Sequence, residues 1–511
     1  MGTPRPNLAT IIATLGPASD APEVVLRLIE AGVGVFRLNF SHGTEAEHAK
    51  RVETVRAAAR LAGLPIAILG DLQGPKIRIG ACPEAGITLE PGQDVLINPA
   101  LACSAVAPSG MAMLSCTLSG IGEDVLPGQR VLINDGAVRL LAMEGAPGDP
   151  EGALRARVVV GGLVTSKKGL NLPQSELRVP AMTERDWKWV EWGVGAGVDF
   201  LALSFVRTAA EVRALKARLE TMCSAKQDVT DAGASAGIPV VAKIETPQAV
   251  ARMREIVGAA DAIMVARGDL GVEMDIAQVP IVQKELVRTA ASYGKPCIVA
   301  TQMLETMCSA TLPTRAEASD VANAIFDGAD AVMLSGETAV GKHPALVVET
   351  MRRIVSAAET MMAPRLLMRP TPPAEVIQTG YRTAALAHGA WYVARDVGAR
   401  LVVCWSQSGG LARYLSQMGL AVPVIAYSSS EVQTRRMALL RGVTPVCEAP
   451  PADARLSTWN KSVDAMLIAR GWANRGDAVV LIAGRPLGKS KPTNTLAVHY
   501  VGEESAGFMA H

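Results

Sequence analysis

Aromatic side chains are scarce in this sequence, at 4% of 511 residues, so a core has to be assembled from Ala, Val, Ile, Leu and the 20 Met, with 47 Gly available to turn corners. Disorder over most of the chain is excluded all the same, because hydrophobic residues reach 49% and charged ones only 19%. Excess charge of either sign is missing too: 50 Lys and Arg oppose 49 Asp and Glu, for a net charge of +1. No global field then steers the chain to nucleic acid or to an anionic lipid surface, and any charged ligand has to be met by a local site. The eight cysteines include no C-x-x-C and no Cys/His pair at metal spacing. That is how a reduced cytoplasmic protein uses Cys, as a small apolar side chain. No apolar run approaches the roughly 18 residues of a membrane span. Met1 to Asn7 has no core for a secretion signal, and Pro6 stands where a myristoylation motif wants Ser or Thr. The expectation is a cytoplasmic protein with no membrane and no nucleic-acid partner.

At about 150 residues per domain, the length suits three domains, or one large barrel with two smaller modules. Short β-branched apolar runs recur with helical segments between them: Leu8 to Thr14, Val33 to Phe40, Pro65 to Leu72, Val198 to Phe205, Ile238 to Glu245, Ala262 to Arg267, Pro296 to Gln302 and Ala331 to Ser335. These eight near-continuous apolar runs are what a closed parallel (β/α)8 barrel needs, because each strand is buried on both faces. Their carboxyl ends, where such barrels place their chemistry, are polar. They carry Thr14; Arg37, Asn39 and Ser41; Asp71; Ser204; Lys243 and Glu245; Arg267 and Asp269; Thr301 and Gln302; Ser335 and Glu337.

An insertion from Pro75 to Leu172 is rich in turn signals and short alternating runs, and reads as a small all-β domain. It leaves and returns at the polar mouth, so it is placed to act as a lid. A Pro-rich break at Pro370, Pro372 and Pro373 introduces a third region with strands expected at Arg400 to Trp405, Val422 to Tyr427, Asp477 to Gly484 and Thr495 to Val501, an α/β domain. The expected division is barrel over 1–74 and 173–360, inserted β domain over 75–172, and C-terminal α/β domain over 361–511.

Side chains two apart on a strand share a face, so Lys243 and Glu245 are expected to point into the mouth while Ile244 packs outward. Asp269 ends the next run, and Gly268 lets a ligand approach the backbone. Two carboxylates on neighbouring strand ends suit Mg²⁺, which fills the rest of its octahedron with water and substrate. The alternative is a salt-bridge network, a poor use of three buried charges. The fork of Arg37 can bind a phosphate or carboxylate, and Asn39, Ser41 and Asp71 supply oxygens suited to a hard cation or, equally, caps for the strand ends. Thr301 and Ser335 can relay a proton or cap the helices that follow, and the spacing leaves both readings open. Ala483 to Ser490 nearly fits a phosphate-cradling G-x-x-x-x-G-K-[ST] loop, but it leads into another strand, so no helix N-terminus receives a phosphate.

Together these segments resemble the pyruvate kinase family. The matching stretches are Ala13 to Ser19, Arg37 to Gly43, Gly169 to Pro173, Lys243 to Glu245, Arg267 to Gly271, Ala300 to Leu304 and Leu334 to Ala339, in family order. The resemblance implies a TIM barrel with an inserted small β-barrel lid and a C-terminal α/β regulatory domain. It also implies phosphoryl transfer from phosphoenolpyruvate to ADP, giving pyruvate and ATP. It places Mg²⁺ (or Mn²⁺) on Glu245 and Asp269, Lys243 beside the transferring phosphoryl, and Arg37 on that phosphoryl. Gly268, Asp269 and Thr301 would hold the substrate carboxylate, and Asn39, Ser41, His42, Arg78 and Lys168 would face the nucleotide. Thr301, Ser335 and water would relay the proton to the enolate.

K⁺-dependent members of the family usually have Glu in the segment after Asp71. This chain has Lys76 in Asp71-Leu72-Gln73-Gly74-Pro75-Lys76, a fixed cation near the Asn39, Ser41 and Asp71 oxygens where K⁺ would have supplied the charge. The expectation is that K⁺ is not required; the alternative is that Lys76 points to solvent. Ser406, Ser408 and Gly409, with Lys489 on the basic loop, resemble the family's effector-phosphate loop for a sugar phosphate or nucleotide, and the family implies a homotetramer. Two competing readings are enolpyruvate chemistry without a nucleotide, against which Lys168 and the lid speak, and a catalytically idle sensor, against which Lys243, Glu245, Asp269 and Thr301 speak.

Overall fold

The computed structural model describes residues 9–224, 237–366, 374–378, 380–489 and 493–503. Eight strands lie inside the eight apolar runs: β1 (Thr10–Thr14), β2 (Val33–Asn39), β3 (Ala67–Asp71), β4 (Phe200–Leu203), β5 (Val240–Ile244), β6 (Ala262–Ala266), β7 (Cys297–Ala300) and β8 (Ala331–Leu334). They pair in parallel in chain order, and β1 closes on β8. The period of two explains the apolar continuity. Ile12, Val35, Leu69, Ala202, Val241, Met264, Ile298 and Met333 point inward and fill the barrel, while Ala13, Phe36, Leu38, Ile68, Leu203 and Ile244 face the surrounding helices. At Gly70 a side chain has no room, since a Cβ would come within 2.7 Å of the Phe40 ring.

Residues between β3 and β4 form a seven-stranded sheet and a two-stranded ribbon, Ile87–Leu89 with Gly162–Val164, around a core of their own. The two connections to the barrel are held by Asp186 in the first turn of the helix Glu184–Ala196, Arg207 just after β4 and Gln248 just after β5. Asp186 Oδ1 accepts from Gln73 N (3.0 Å) and Gly74 N (3.2 Å) on the way out. On the return, the Arg207 guanidinium donates to Leu177 O (2.7 Å) and Val179 O (2.6 Å), and Gln248 Nε2 donates to Pro173 O and Ser175 O (3.2 Å each).

The C-terminal domain is a five-stranded sheet of β9 (Leu401–Trp405), β10 (Val424–Ser428), β11 (Val443–Cys447), β12 (Ala478–Ala483) and β13 (Thr495–Tyr500), in the order β11-β10-β9-β12-β13 with only β13 antiparallel. Four of these follow the apolar runs, and β11 is an addition. Pro445 in its middle reads as a strand breaker, yet it is tolerated because β11 is a sheet edge. Pro370, Pro372 and Pro373, read from sequence as the domain break, lie outside the described residues.

This domain packs against the amino ends of the barrel strands. Leu439 enters the apolar cluster inside the barrel. Buried Asp199 is held between Arg56 of the barrel (2.7 Å) and Arg435 of the C-terminal domain (2.8 Å), and Gln417 Nε2 donates to buried Asp330 (2.7 Å). A cleft of about 1030 Å³ follows the seam. The bottom of the barrel is thereby plugged, and the polar strand ends stay at the opposite mouth. Among the described residues no helix is long and apolar enough to cross a membrane. Leu439→Ala should lower stability by about 3 kcal/mol, because the barrel interior cannot collapse around the void. Leu61→Ala, at a side chain 78% exposed, should change it by less than about 0.5 kcal/mol; urea unfolding midpoints of the two variants check the contrast.

Candidate active site

The mouth is organised around one buried carboxylate. Asp71, at the end of β3, is 1% exposed, and its Oδ2 accepts from Arg37 Nε at 2.6 Å while Oδ1 pairs with Lys243 Nζ at 3.3 Å. Burial alone would raise its pKa, but the Lys243 ammonium and the Arg37 guanidinium outweigh burial and hold the carboxyl below its usual range. Lys243 is balanced in the same way: burial would lower its pKa, and Asp71 with Glu245 raises it well above the ordinary lysine value. It is a permanent cation at neutral pH. Its Nζ also contacts Glu245 Oε1 (2.8 Å) and donates to Ser204 Oγ (2.8 Å), and that hydroxyl donates to Leu72 O (2.6 Å). Arg37 is oriented by Asp71 and by Thr14 Oγ1, which accepts from Nη1 at 3.1 Å.

Opposite stand two carboxylates. Glu245 follows β5 and takes a bond from Phe205 N (2.7 Å), which a left-handed Phe205 (φ 53°) turns toward it. Asp269 sits in a short helix, Arg267–Glu273, rather than at a strand end, because β6 stops at Ala266. Burial raises the Glu245 pKa, Lys243 opposes that, and the Asp269 charge adds to the rise. Among the described residues the Asp269 carboxylate has no hydrogen bond or ion pair. Two carboxylates lining one cavity, one of them raised mainly by burial and further by the other's charge, are a donor set that fits a hard divalent cation. Thr301 accepts from Gly268 N at 2.8 Å and donates to Ala300 O at 2.7 Å.

Arg37, Asn39, Ser41, Asp71, Lys76, Lys243, Glu245, Asp269 and Thr301 all line one cavity of about 80 Å³. A second cavity, of about 370 Å³, opens between barrel and inserted domain and shares Lys76, Phe205 and Asp269 with the first. Arg78 and Lys168 line it, and so does Glu273, whose Oε1 accepts from Asn171 Nδ2 of the inserted domain at 2.7 Å. Of the residues singled out from sequence, His42 lines neither cavity; its carbonyl contacts His48 Nε2 at 2.8 Å. Ser335 is outside the small cavity too. It stands at the N-cap of a helix without a side-chain capping bond, and its buried hydroxyl has no partner in the protein.

Sequence reading named Thr14 and Ser204 among the polar strand ends without giving either a role, and it passed over Glu273. Glu273 follows Asp269 at i+4, the spacing that puts two side chains on one helix face. In the C-terminal domain, the loops after β9 and β12 adjoin at the point where strand order reverses, where open α/β sheets bind ligands. Ser408 and Lys489 are exposed there and Gly409 is left-handed (φ 77°). Ser406 is buried, and its Oγ is occupied by Ala412 N at 3.1 Å; Ser490 and Lys491 lie outside the described residues.

Two cations fixed this close, facing carboxylates that suit a divalent metal, match an anion whose charge is spread over several oxygens, as in a transferring phosphoryl group. The chain is a barrel phosphotransferase. The family model of the pyruvate kinase barrel domain matches residues 7–348, and that of the pyruvate kinase alpha/beta domain matches residues 384–499. A pyruvate kinase of Mycobacterium intracellulare is 40% identical over 97% of this chain and 98% of its own length. One of Corynebacterium glutamicum is 38% identical over 97% and 98%, and one of Geobacillus stearothermophilus is 38% identical over 96% of this chain and 80% of its own length. The chain belongs to the pyruvate kinase family.

Glu273 makes the mouth sensitive to pH. Burial pushes its carboxyl up to about 7, against the Asn171 bond and with the charges of Asp269 and Glu245 adding to the rise. In the unfolded chain it titrates at about 4.3, so between those values the folded protein holds a proton that the unfolded chain has lost. Stability therefore falls as pH rises through that window, by on the order of 3–4 kcal/mol. Glu273→Gln should remove this component, which thermal unfolding midpoints of both proteins, measured without metal at a series of pH values, will detect as a flatter profile for the variant.

Proposed function

We propose that this chain transfers the phosphoryl group of phosphoenolpyruvate to ADP, giving pyruvate and ATP, with a divalent cation, Mg²⁺ or Mn²⁺. The observation that carries the reading is the Lys243 ammonium held between Asp71 and Glu245 in the same small cavity as Arg37, Asp269 and Thr301. Lys243 and Arg37 stabilise the equatorial oxygens of the phosphoryl group as the enolate leaves, and neither has to reorganise, since Asp71 already orients both. Glu245 and Asp269 would hold the divalent cation, which when bound neutralises charge between the substrate's carboxylate and phosphoryl group. Thr301 and the backbone of Gly268 and Asp269 hold the substrate carboxylate. Thr301, the unpartnered Ser335 hydroxyl and water then deliver a proton to the enolate carbon.

The nucleotide lies on the inserted-domain side, toward Arg78 and Lys168 with Asn39, Ser41 and His42 at its barrel edge. Residues 75–172 act as its lid, the barrel spans 1–74 and 173–360, and residues 361–511 form a regulatory domain. There Ser406, Ser408, Gly409 and Lys489 receive a sugar-phosphate or nucleotide effector. The assembly is a cytoplasmic homotetramer, with neither nucleic acid nor membrane as partner.

We also infer that the reaction does not require K⁺. Lys76 lines the small cavity with Asn39, Ser41 and Asp71, and Asp71 Oδ1, buried, makes no well-formed hydrogen bond there. A lysine ammonium can supply the charge a monovalent cation would bring.

Lys243→Met should lower pyruvate formation from phosphoenolpyruvate and ADP by at least about 10³-fold while Mn²⁺ still binds, as read by calorimetry; normal turnover in this variant would refute the role. Wild-type rates in K⁺ and K⁺-free buffers of equal ionic strength should agree within about twofold, and Lys76→Glu should create a K⁺ requirement. A strong K⁺ requirement in the wild type would refute the Lys76 assignment but leave the reaction standing. No pyruvate in either buffer, with or without sugar phosphates, would favour a sensor.

A further inference from the structure

Thr301 (φ 67°) and Gln302 (φ 53°) follow β7 in the left-handed region. A β-branched residue is a genuine outlier there, and two successive non-glycine residues keep that conformation only when their surroundings impose it. The imposing group is the buried Arg267. Its Nη2 donates to Thr301 O at 2.7 Å and to Gln302 O at 3.2 Å, and lies against Met303 Sδ at 2.7 Å. Its Nη1 is anchored from behind on Asp320 at 2.6 Å, with Gln283 Oε1 at 3.4 Å.

Arg267 is also the first residue of the short helix that carries Asp269, and the next residue, Gly268, donates its N–H to Thr301 Oγ1 at 2.8 Å. A closed circuit results. The helix start touches the Thr301 hydroxyl through Gly268 and the Thr301 carbonyl through the guanidinium, so neither can shift without the other. Only a planar fork spans two carbonyls and a carboxylate at once; a lysine ammonium, a point charge, cannot. The guanidinium is turned away from the small cavity, which it does not line.

We propose that Arg267 is a positioning residue: by holding the Thr301 and Gln302 carbonyls it fixes Thr301 against Gly268 and Asp269, and so sets the grip on the substrate's carboxylate end. This rests on the reading of Thr301, Gly268 and Asp269 given under the proposed function. Arg267→Lys keeps the charge opposite Asp320 but loses the fork. It should raise the phosphoenolpyruvate KM at least about tenfold while the ADP KM stays within about twofold. Adding Gln302→Gly, which accepts a left-handed backbone without strain, should recover a substantial part of that loss, whereas simple lost packing would not be rescued. Should Arg267→Lys fail to fold, Asp320→Asn loosens the same anchor and should shift the two KM values in the same unequal way.

Calorimetric binding of phosphoenolpyruvate in the presence of Mn²⁺ separates this proposal from the activity itself. Weaker binding by Arg267→Lys supports the positioning role even if the wild type forms no pyruvate. Unchanged binding, an equal rise in both KM values, no rescue by Gln302→Gly, or no binding by the wild type overturns it.

Discussion

Everything at the barrel mouth depends on Asp71 standing between Arg37 and Lys243. Two cations taken out of water repel each other and lose hydration, and either alone would be strongly destabilising or would lose its charge. One fully buried carboxylate at the end of β3 offsets both, keeps Lys243 protonated and fixes both heads at the wall of one cavity. Thr14 and Ser204 complete the orientation from β1 and from the end of β4. The site is therefore preorganised for negative charge before any ligand arrives, which is where electrostatic catalysis draws its largest contribution.

The rest of the fold divides labour between the two ends of the barrel. At the amino ends of the strands, the C-terminal domain supplies Leu439 to the interior core, Arg435 to Asp199 and Gln417 to Asp330, contacts that serve stability. At the carboxyl ends sit the left-handed residues Phe205, Thr301 and Gln302. Strain of about 1–3 kcal/mol per residue is tolerable there because a rigid, plugged barrel over-determines the backbone. Phe205 is turned to give its N–H to Glu245, and Thr301 to receive that of Gly268.

The inserted domain is held at its roots by barrel side chains. Asp186, Arg207 and Gln248 grip the two connections by backbone groups, so the chain on either side of the inserted domain is fixed to the barrel. Across the cavity Asn171 of the inserted domain meets Glu273 of the barrel. The Asn171–Glu273 bond joins a domain with its own core to a barrel carboxyl that titrates near neutrality.

The sequence by itself determined the architecture of the barrel. All eight strands fall within apolar runs, because a strand buried on both faces leaves a continuous hydrophobic signature, and the period of two alone puts Lys243 and Glu245 on one side with Ile244 on the other. It also marked Arg37, Asp71 and Asp269 as strand-end polar residues. What it could not decide is which of them touch. Asp71 and Lys243 lie on strands separated by β4, and they meet only because closure of the barrel brings alternate strand ends together over one mouth. His42 and Ser335 stand as close in sequence to the site as their neighbours, yet a turn and a helix start carry them outside its small cavity. Glu273 with Asn171, Arg267 with Thr301, and Leu439 in the barrel floor are contacts between segments tens to hundreds of residues apart. No local pattern encodes them, because their partners are set by packing and burial in the folded chain.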